Sequence, residues 1–465
     1  MKTGIKIALT RPFQETLEVM PPLGLGYLAS AVKDIAEVSI IDCIRDKIET
    51  KELIQKLIRG NYDIIGFQCF TVDFNSVKFL VENLKRLNPK AIYVLGGPHP
   101  TLDPINTLKE INADYIFMGD SEESFSNFVR LIKNKKLNNA SLKKIPGIAY
   151  RTKKGIKTNA IVFPCDLDKY NPSYDLLHLE KYPSAPHGVF HKQSPTAPII
   201  ITRGCPFNCT YCGGPMVSGK RIRSHSVNYV INQIEFLVKK YGIREIDIED
   251  DNFTMNQDFV EEFCKKLIAK NLGITWTCPN GVRLDTLNEE LLRLMKKSGC
   301  YSLFVGIESG SDRIRKHMRK NLDTKTIEEK VKSLRKVGIE AVGFFIIGYP
   351  EETIDDINKS IDLAIRLDLK RAAFNTFKPF PGTEIYDQLV RRGELPKLDY
   401  SKFSFDDVIY APKSISLKTM KKLNRKAYLK FYFRPKIMLK MLGEIKRFED
   451  FRFMIRRIFI WVKRW

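Results

Sequence analysis

Apolar residues in the first 135 positions gather in short β-rich runs at 4–9, 37–42, 63–68, 91–95 and 114–118. Between these runs they recur every three or four positions, as in 74–87. Short apolar runs mark strands, and the three-and-four spacing marks amphipathic helices. Five such strands separated by helices predict a doubly wound parallel sheet of flavodoxin or Rossmann type. Several strands run into glycine and proline, as in Pro21-Pro22-Leu23-Gly24 and Gly96-Gly97-Pro98-His99-Pro100-Thr101. Ligands of such sheets lie beyond the carboxyl ends of the strands, where these turns fall. At 136–195 the rhythm lapses. Runs at 145–150 and 160–163 predict a small hairpin, and the rest reads as a structured linker. From 196 to 410 the alternation returns, with strands at 198–202, 245–249, 274–277, 301–307, 341–347 and 372–377. Six units predict a partial, TIM-like (β/α)6 barrel with its site at the strands' carboxyl ends. The expected division is 1–135, 136–195, 196–410 and a helical tail at 411–465.

Composition narrows the class. Of 465 residues, 43% are hydrophobic and 28% charged, which is the balance of a folded chain. No apolar run reaches the roughly 20 residues of a membrane span, so a cytoplasmic protein is expected. Nine unevenly spaced cysteines suit reduced thiols or metal ligation better than a disulfide framework. The net charge of +23 is concentrated in the tail, where 411–465 carries 17 Lys and Arg against 3 Asp and Glu. The rest is only mildly basic, and no nucleic-acid partner is expected. At the very end, Phe451, Met454, Ile455, Ile458, Trp461, Val462 and Trp465 follow helical spacing, with Arg452, Arg456, Arg457, Lys463 and Arg464 between. A basic amphipathic helix of this kind either touches a membrane surface peripherally or packs on the barrel.

The candidate chemistry starts at Cys205, Cys209 and Cys212, in a Gly/Pro loop after the first barrel strand. Three thiolates suit an iron–sulfur cluster, and three ligands to four irons leave one iron open. Zinc would need a fourth ligand, and His225 is the nearest candidate. Cys264, Cys278 and Cys300 read as core packing.

The C-x3-C-x2-C spacing with Tyr211 before the last cysteine resembles the radical S-adenosylmethionine (SAM) superfamily. The resemblance implies a 4Fe–4S cluster on the three cysteines and reductive cleavage of SAM to a 5′-deoxyadenosyl radical. It extends to four turns at strand ends. These are Glu249-Asp250-Asp251, Asn280–Asp285, Gly306-Ile307-Glu308-Ser309-Gly310, and Ile346-Ile347-Gly348-Tyr349-Pro350-Glu351-Glu352. It implies cofactor contacts at Tyr211, Gly213, Asp250, Asp251, Glu308, Ser309, Ile346 and Gly348.

A doubly wound sheet before such a barrel resembles the cobalamin-binding subgroup. That implies corrinoid contacts at Gly24, Gly96, Gly97, Pro98, His99 and Thr101. The turn Gly119-Asp120-Ser121-Glu122 departs from the subgroup's usual Gly-Glu-Gly-Glu form. The D-x-H-x-x-G motif is absent, so base-off cobalamin without a histidine ligand is expected.

The function expected from the resemblance is cobalamin-dependent methylation of an unactivated carbon on a small molecule or lipid, with flavodoxin or ferredoxin as reductant. The alternatives are an anaerobic oxidative cyclase or C–C bond former, and a non-catalytic corrinoid sensor or carrier. A methylthiotransferase would need three more amino-terminal cysteines, and 1–140 holds only Cys43 and Cys69. No individual catalytic acid or base stands out.

Overall fold

The computed structural model describes residues 4–16, 18–183, 191–404, 407–445, 451, 454 and 455. Fifteen strands are β1 Ile5–Arg11, β2 Ala36–Asp42, β3 Ile64–Gln68, β4 Ile92–Gly96, β5 Tyr115–Phe117, β6 Ile148–Thr152, β7 Gly155–Thr158, β8 Thr196–Ile199, β9 Thr202–Arg203, β10 Arg223–Ser224, β11 Glu245–Ile248, β12 Thr275–Val282, β13 Cys300–Glu308, β14 Glu340–Ile347 and β15 Arg371–Thr376. The first seven form one sheet in the order β2-β1-β3-β4-β5-β6-β7. Its first five strands are parallel, as their near-continuous apolar runs require for a sheet buried on both faces. The order reverses between β1 and β3, which is the crevice where such sheets hold ligands.

The expected hairpin forms at β6 and β7, with its first strand later and its second strand earlier than read. It is not linker structure: β6 pairs antiparallel with β5 and extends the amino-terminal sheet. The five apolar runs before it gave no sign of that pairing, because an antiparallel edge needs only one apolar face.

The barrel strands run in sequence order, β8-β11-β12-β13-β14-β15, and all are parallel. Helices cover the outer face through an apolar core that includes Trp276, Leu303, Val305, Ile307, Phe345 and Phe374. The inner face curls. Tyr301 Oη on β13 reaches across β12 to Glu245 Oε1 on β11 at 2.6 Å.

The open edge of β15 is covered by the helix Leu417–Tyr432. Asn424, Tyr428 and Tyr432 are spaced four apart and lie on one helix face. Asn424 Nδ2 donates to the Phe374 carbonyl, Tyr428 Oη accepts from the Phe374 amide, and Tyr432 Oη pairs with both backbone groups of Ala372. Three side chains thus satisfy an edge strand that would otherwise invite pairing with another chain. Met420, Leu423, Ala427 and Phe431 join the core beneath. This part of the tail therefore packs on the barrel, and its lysines pair with the helix Ile354–Arg366 and the residue just beyond it, as in Lys430–Asp362 and Lys436–Asp368. The amphipathic stretch at 451–465 lies almost wholly outside the described residues. Among the described residues no helix is long and apolar enough to cross a membrane.

Candidate functional site

β9 leads directly into the cysteine loop, which ends at the short helix Gly214–Val217. The loop is held from several sides. Asp251 Oδ2 accepts from the Gly204 amide at 3.3 Å, and the Cys205 amide donates to the Gly219 carbonyl at 3.0 Å. The Thr210 hydroxyl meets Tyr349 Oη at 2.8 Å. Phe207, between the first two cysteines, lies 3.7 Å beneath the Arg283 guanidinium. Arg283 is itself fixed by Asp285 and by the Lys320 carbonyl.

Cys205 and Cys209 are half-buried and Cys212 is exposed. Among the described residues, the trio whose ligand atoms lie within 4.8 Å of one another is His191, Glu245 and Asp247, not the cysteines. A single zinc ion with sulfur at about 2.3 Å would bring its thiolates to about 3.8 Å apart. At least one of the three sulfur separations is therefore wider than that zinc spacing. Burial pushes the Cys209 thiol up and the nearby Lys320 ammonium opposes it, so a thiolate here needs a cation against it.

Glu308 ends β13 with φ +67°, a conformation that costs a residue with a Cβ of order 1–3 kcal/mol. Lys320 Nζ holds its carboxylate at 2.8 Å, and both side chains are about nine-tenths buried. The pair folds back over Gly306, where an added Cβ would lie 2.5 Å from Glu308 and 2.7 Å from Lys320. The Tyr211 phenol lies near the same carboxylate, and burial, with that charge added, pushes its pKa up. Lys320 is a site residue that sequence reading missed. Its approach depends on a chain reversal through Arg319 and Asn321, both with φ near +50°, which no local pattern announces.

Three expected cofactor contacts are occupied otherwise. Asp250 is buried, and its two oxygens accept from the Ile201 and Thr202 amides at 2.7 and 2.8 Å. It positions the strand that carries the cysteine loop. Ser309 is fully buried against Ser360 on a flanking helix. His99 is 1% exposed, with Nδ1 on Thr71 Oγ1 and its ring edge-on to Phe74 and Tyr400. Burial lowers its pKa to about 4, so it is neutral and faces a packed aromatic box.

The remaining residues stay at the strand ends. Ile346 is half-buried at the end of β14, and Gly348 begins the turn that follows. Glu352 Oε2 holds that turn by accepting from the Gly348 and Tyr349 amides. Its other oxygen is buried without a partner among the described residues, and burial raises the carboxyl pKa to about 8. The folded protein therefore keeps a proton that an unfolded Glu releases above about pH 4.3. This contribution to stability is complete below that pH and is lost as pH rises through about 8. We expect the thermal midpoint to fall between about pH 4.3 and 8, and Glu352→Gln to flatten that fall. An unchanged slope in the variant would refute the assignment.

At the amino-terminal crevice, Thr10 and Gln68 close β1 and β3, and each has a buried polar atom without a partner among the described residues. Gly24 opens onto free space, where a Cβ would touch nothing within 4 Å. Phe70, just past β3, is 43% exposed. Gly97 begins the helix Pro98–Leu102, and Thr101 Oγ1 joins the β4 and β5 turns by donating to Gly97 and accepting from Gly119. Orphaned polar atoms, an open glycine and an exposed aromatic ring suit a large ligand with apolar and amide surface.

The two ends meet. A Cβ on Gly213 would lie 2.9 Å from Leu102, so the cysteine loop sits against the β4 turn. Asp120 bridges Arg203 at 3.2 Å and Arg223 at 2.6 Å, Glu122 reaches Arg203 at 2.8 Å, and the Arg203 guanidinium lies over Tyr27. Asp120, where the turn departs from the subgroup's pattern, and Glu122, which keeps it, thus clamp the amino-terminal sheet to β9 and β10 beside the cysteine loop.

Comparison with known proteins supports both halves. Residues 199–364 match the radical SAM superfamily model and 14–129 the B12 binding domain model. The chain is 33% identical to an uncharacterized methyltransferase of Pyrococcus horikoshii, over 94% of this chain and 92% of that one. It is 28% identical to the cytidylyl-2-hydroxyethylphosphonate methyltransferase of Streptomyces wedmorensis, covering 80% and 78%. It is 26% identical to the anaerobic magnesium-protoporphyrin IX monomethyl ester cyclase of Rubrivivax gelatinosus, covering 84% and 70%. The fold resembles the radical SAM methyltransferase TsrM of Kitasatospora setae, solved with cobalamin and a 4Fe–4S cluster, at a TM-score of 0.69 and 16% identity over 93% of this chain and 82% of that one.

Proposed function

This chain belongs to the radical SAM superfamily, in the branch that joins a B12 binding domain to the barrel, and we propose that it transfers a methyl group to an unactivated carbon of a small molecule. The observation that carries this reading is the contact of the cysteine loop with the β4 turn at Gly213 and Leu102. It supports the reading because the two candidate cofactor regions touch there, as a methyl donor and a carbon radical require.

In this reading Cys205, Cys209 and Cys212 hold the cluster and leave one iron open to SAM. When bound, the cofactors supply a reductively generated 5′-deoxyadenosyl radical and a transferable methyl group. The chain's own residues bind and orient. Glu308 would hold the ammonium of SAM, and Lys320, paired with it, would stand by to meet the SAM carboxylate. Ile346 and the turn at Gly348 line the adenine. Gly24, Gly96, Gly97 and Pro98 would take the corrinoid, base-off, because His99, the histidine that the β4 turn carries among the described residues, is packed away. Flavodoxin or ferredoxin supplies the electron.

Anaerobic reconstitution with iron, sulfide and hydroxocobalamin tests this. The expected result is cluster absorption together with a cobalt(II) paramagnetic spectrum free of nitrogen splitting. Turnover should yield S-adenosylhomocysteine beside 5′-deoxyadenosine. 5′-Deoxyadenosine without S-adenosylhomocysteine would favour the oxidative cyclase reading, which the Rubrivivax relative supports. Failure of the cluster to form would refute both.

A further inference from the structure

The inner face of the barrel is layered. Alternation along the strands sends every second residue inward. At the amino end the layer is polar and closed. Glu245 takes hydrogen bonds from Tyr301, Thr275 and the Gln193 amide, and His191 Nε2 meets Asp247 at 3.0 Å. At the carboxyl end stand Glu308 and Lys320. Between them, Phe304 on β13 and Phe344 on β14 point inward, with centroids 5.5 Å apart and rings tilted by 39°.

Their neighbours in sequence, Leu303, Val305 and Phe345, belong to the core under the helices, and neither ring does. Phe344 keeps partial exposure although it lies inside a barrel closed beneath it. The wall beside it is glycine. Gly281 has φ +98°, and an added Cβ would lie 3.4 Å from the Phe344 ring. Phe304 lies one pleat repeat, about 7 Å, below Gly306, and Phe344 is in register with Gly306, short of Glu308. An apolar layer with an accessible ring face, below the cofactor residues and above a polar plug, is a floor for a ligand.

We propose that Phe304 and Phe344 are the substrate floor, and that the substrate portion lying there is a planar aromatic ring system. The partly exposed Phe344 ring offers a π-face with the Phe304 ring buried beside it, and flat rings gain from offset or edge contacts beyond the area they bury. This rests on the radical SAM reading of the barrel mouth and specifies its substrate class. The phenylalanines would be positioning residues that present one edge of the ring to the opening.

The test uses the full chain, cluster-reconstituted and SAM-bound, with 2-naphthol and its saturated counterpart decahydro-2-naphthol as probes in ligand-observed magnetic resonance titrations. The wild type should prefer 2-naphthol by about tenfold. Phe344→Leu and Phe304→Leu keep an apolar floor but remove the ring face, and should abolish that preference while cluster absorption and SAM affinity stay unchanged. Equal binding of both probes by the wild type, or an intact preference in both leucine variants, overturns the floor. If the wild type forms no cluster, the failure belongs to the radical SAM reading instead.

Discussion

Cys209→Ala loses the cluster and, with it, SAM cleavage by more than about 1,000-fold. Two thiolates cannot hold four irons against solvent, and Cys209 is the central ligand of the three. The loop's clamps are Phe207 under Arg283, Thr210 on Tyr349 and Gly204 on Asp251, so the alanine variant leaves them in place. The measurement is iron and sulfide content with 5′-deoxyadenosine yield on the reconstituted protein. A useful contrast is Cys264→Ala. That thiol is fully buried and contacts the Ser298 hydroxyl at 3.3 Å. Its loss should cost about 1–2 kcal/mol of stability and leave the cluster intact. If both variants assembled the cluster equally, the ligand assignment would fail.

The second large effect is on stability. Lys320→Ala strands the Glu308 carboxylate in a site about nine-tenths buried. Breaking a buried pair from one side costs about 3–5 kcal/mol, because the remaining charge has no water to solvate it. Glu308 already has a left-handed backbone, so the variant should also free the end of β13 and weaken SAM binding. Denaturant unfolding and SAM titration read the two losses separately. The double variant Glu308→Gln, Lys320→Met should recover most of the stability and none of the SAM affinity. A single variant with wild-type stability and SAM affinity would show that the pair is solvated in solution and plays no part in the site.

Much of this site was legible along the chain because its signals are local. Cysteine spacing, a glycine after a strand and the period of apolar residues each need only a few neighbouring positions. Lys320, Arg283 and the Asp120 clamp were not legible for the opposite reason. Each acts on a group that its own neighbourhood in sequence does not identify. At Asp250 and Ser309 the sequence did not reveal the internal partners. An acid or hydroxyl beside a functional turn looks like a contact until its hydrogen-bond partners are known, and here those partners are Ile201, Thr202 and Ser360.

By itself, then, the sequence determined the two sheets, the order of their strands' chemistry and the cysteine loop at the head of the barrel. Periodicity and spacing are properties of adjacent residues, and burial demands them wherever the chain goes. The tertiary structure alone decided that the 148–158 hairpin extends the first sheet and that Asn424, Tyr428 and Tyr432 cover the last strand. It also decided that Gly213 rests on Leu102 and that Phe304 meets Phe344 inside the barrel. Those contacts arise from which strands lie side by side and how far the sheet curls. Both are set by the sum of packing over the whole chain, which no short window of sequence contains.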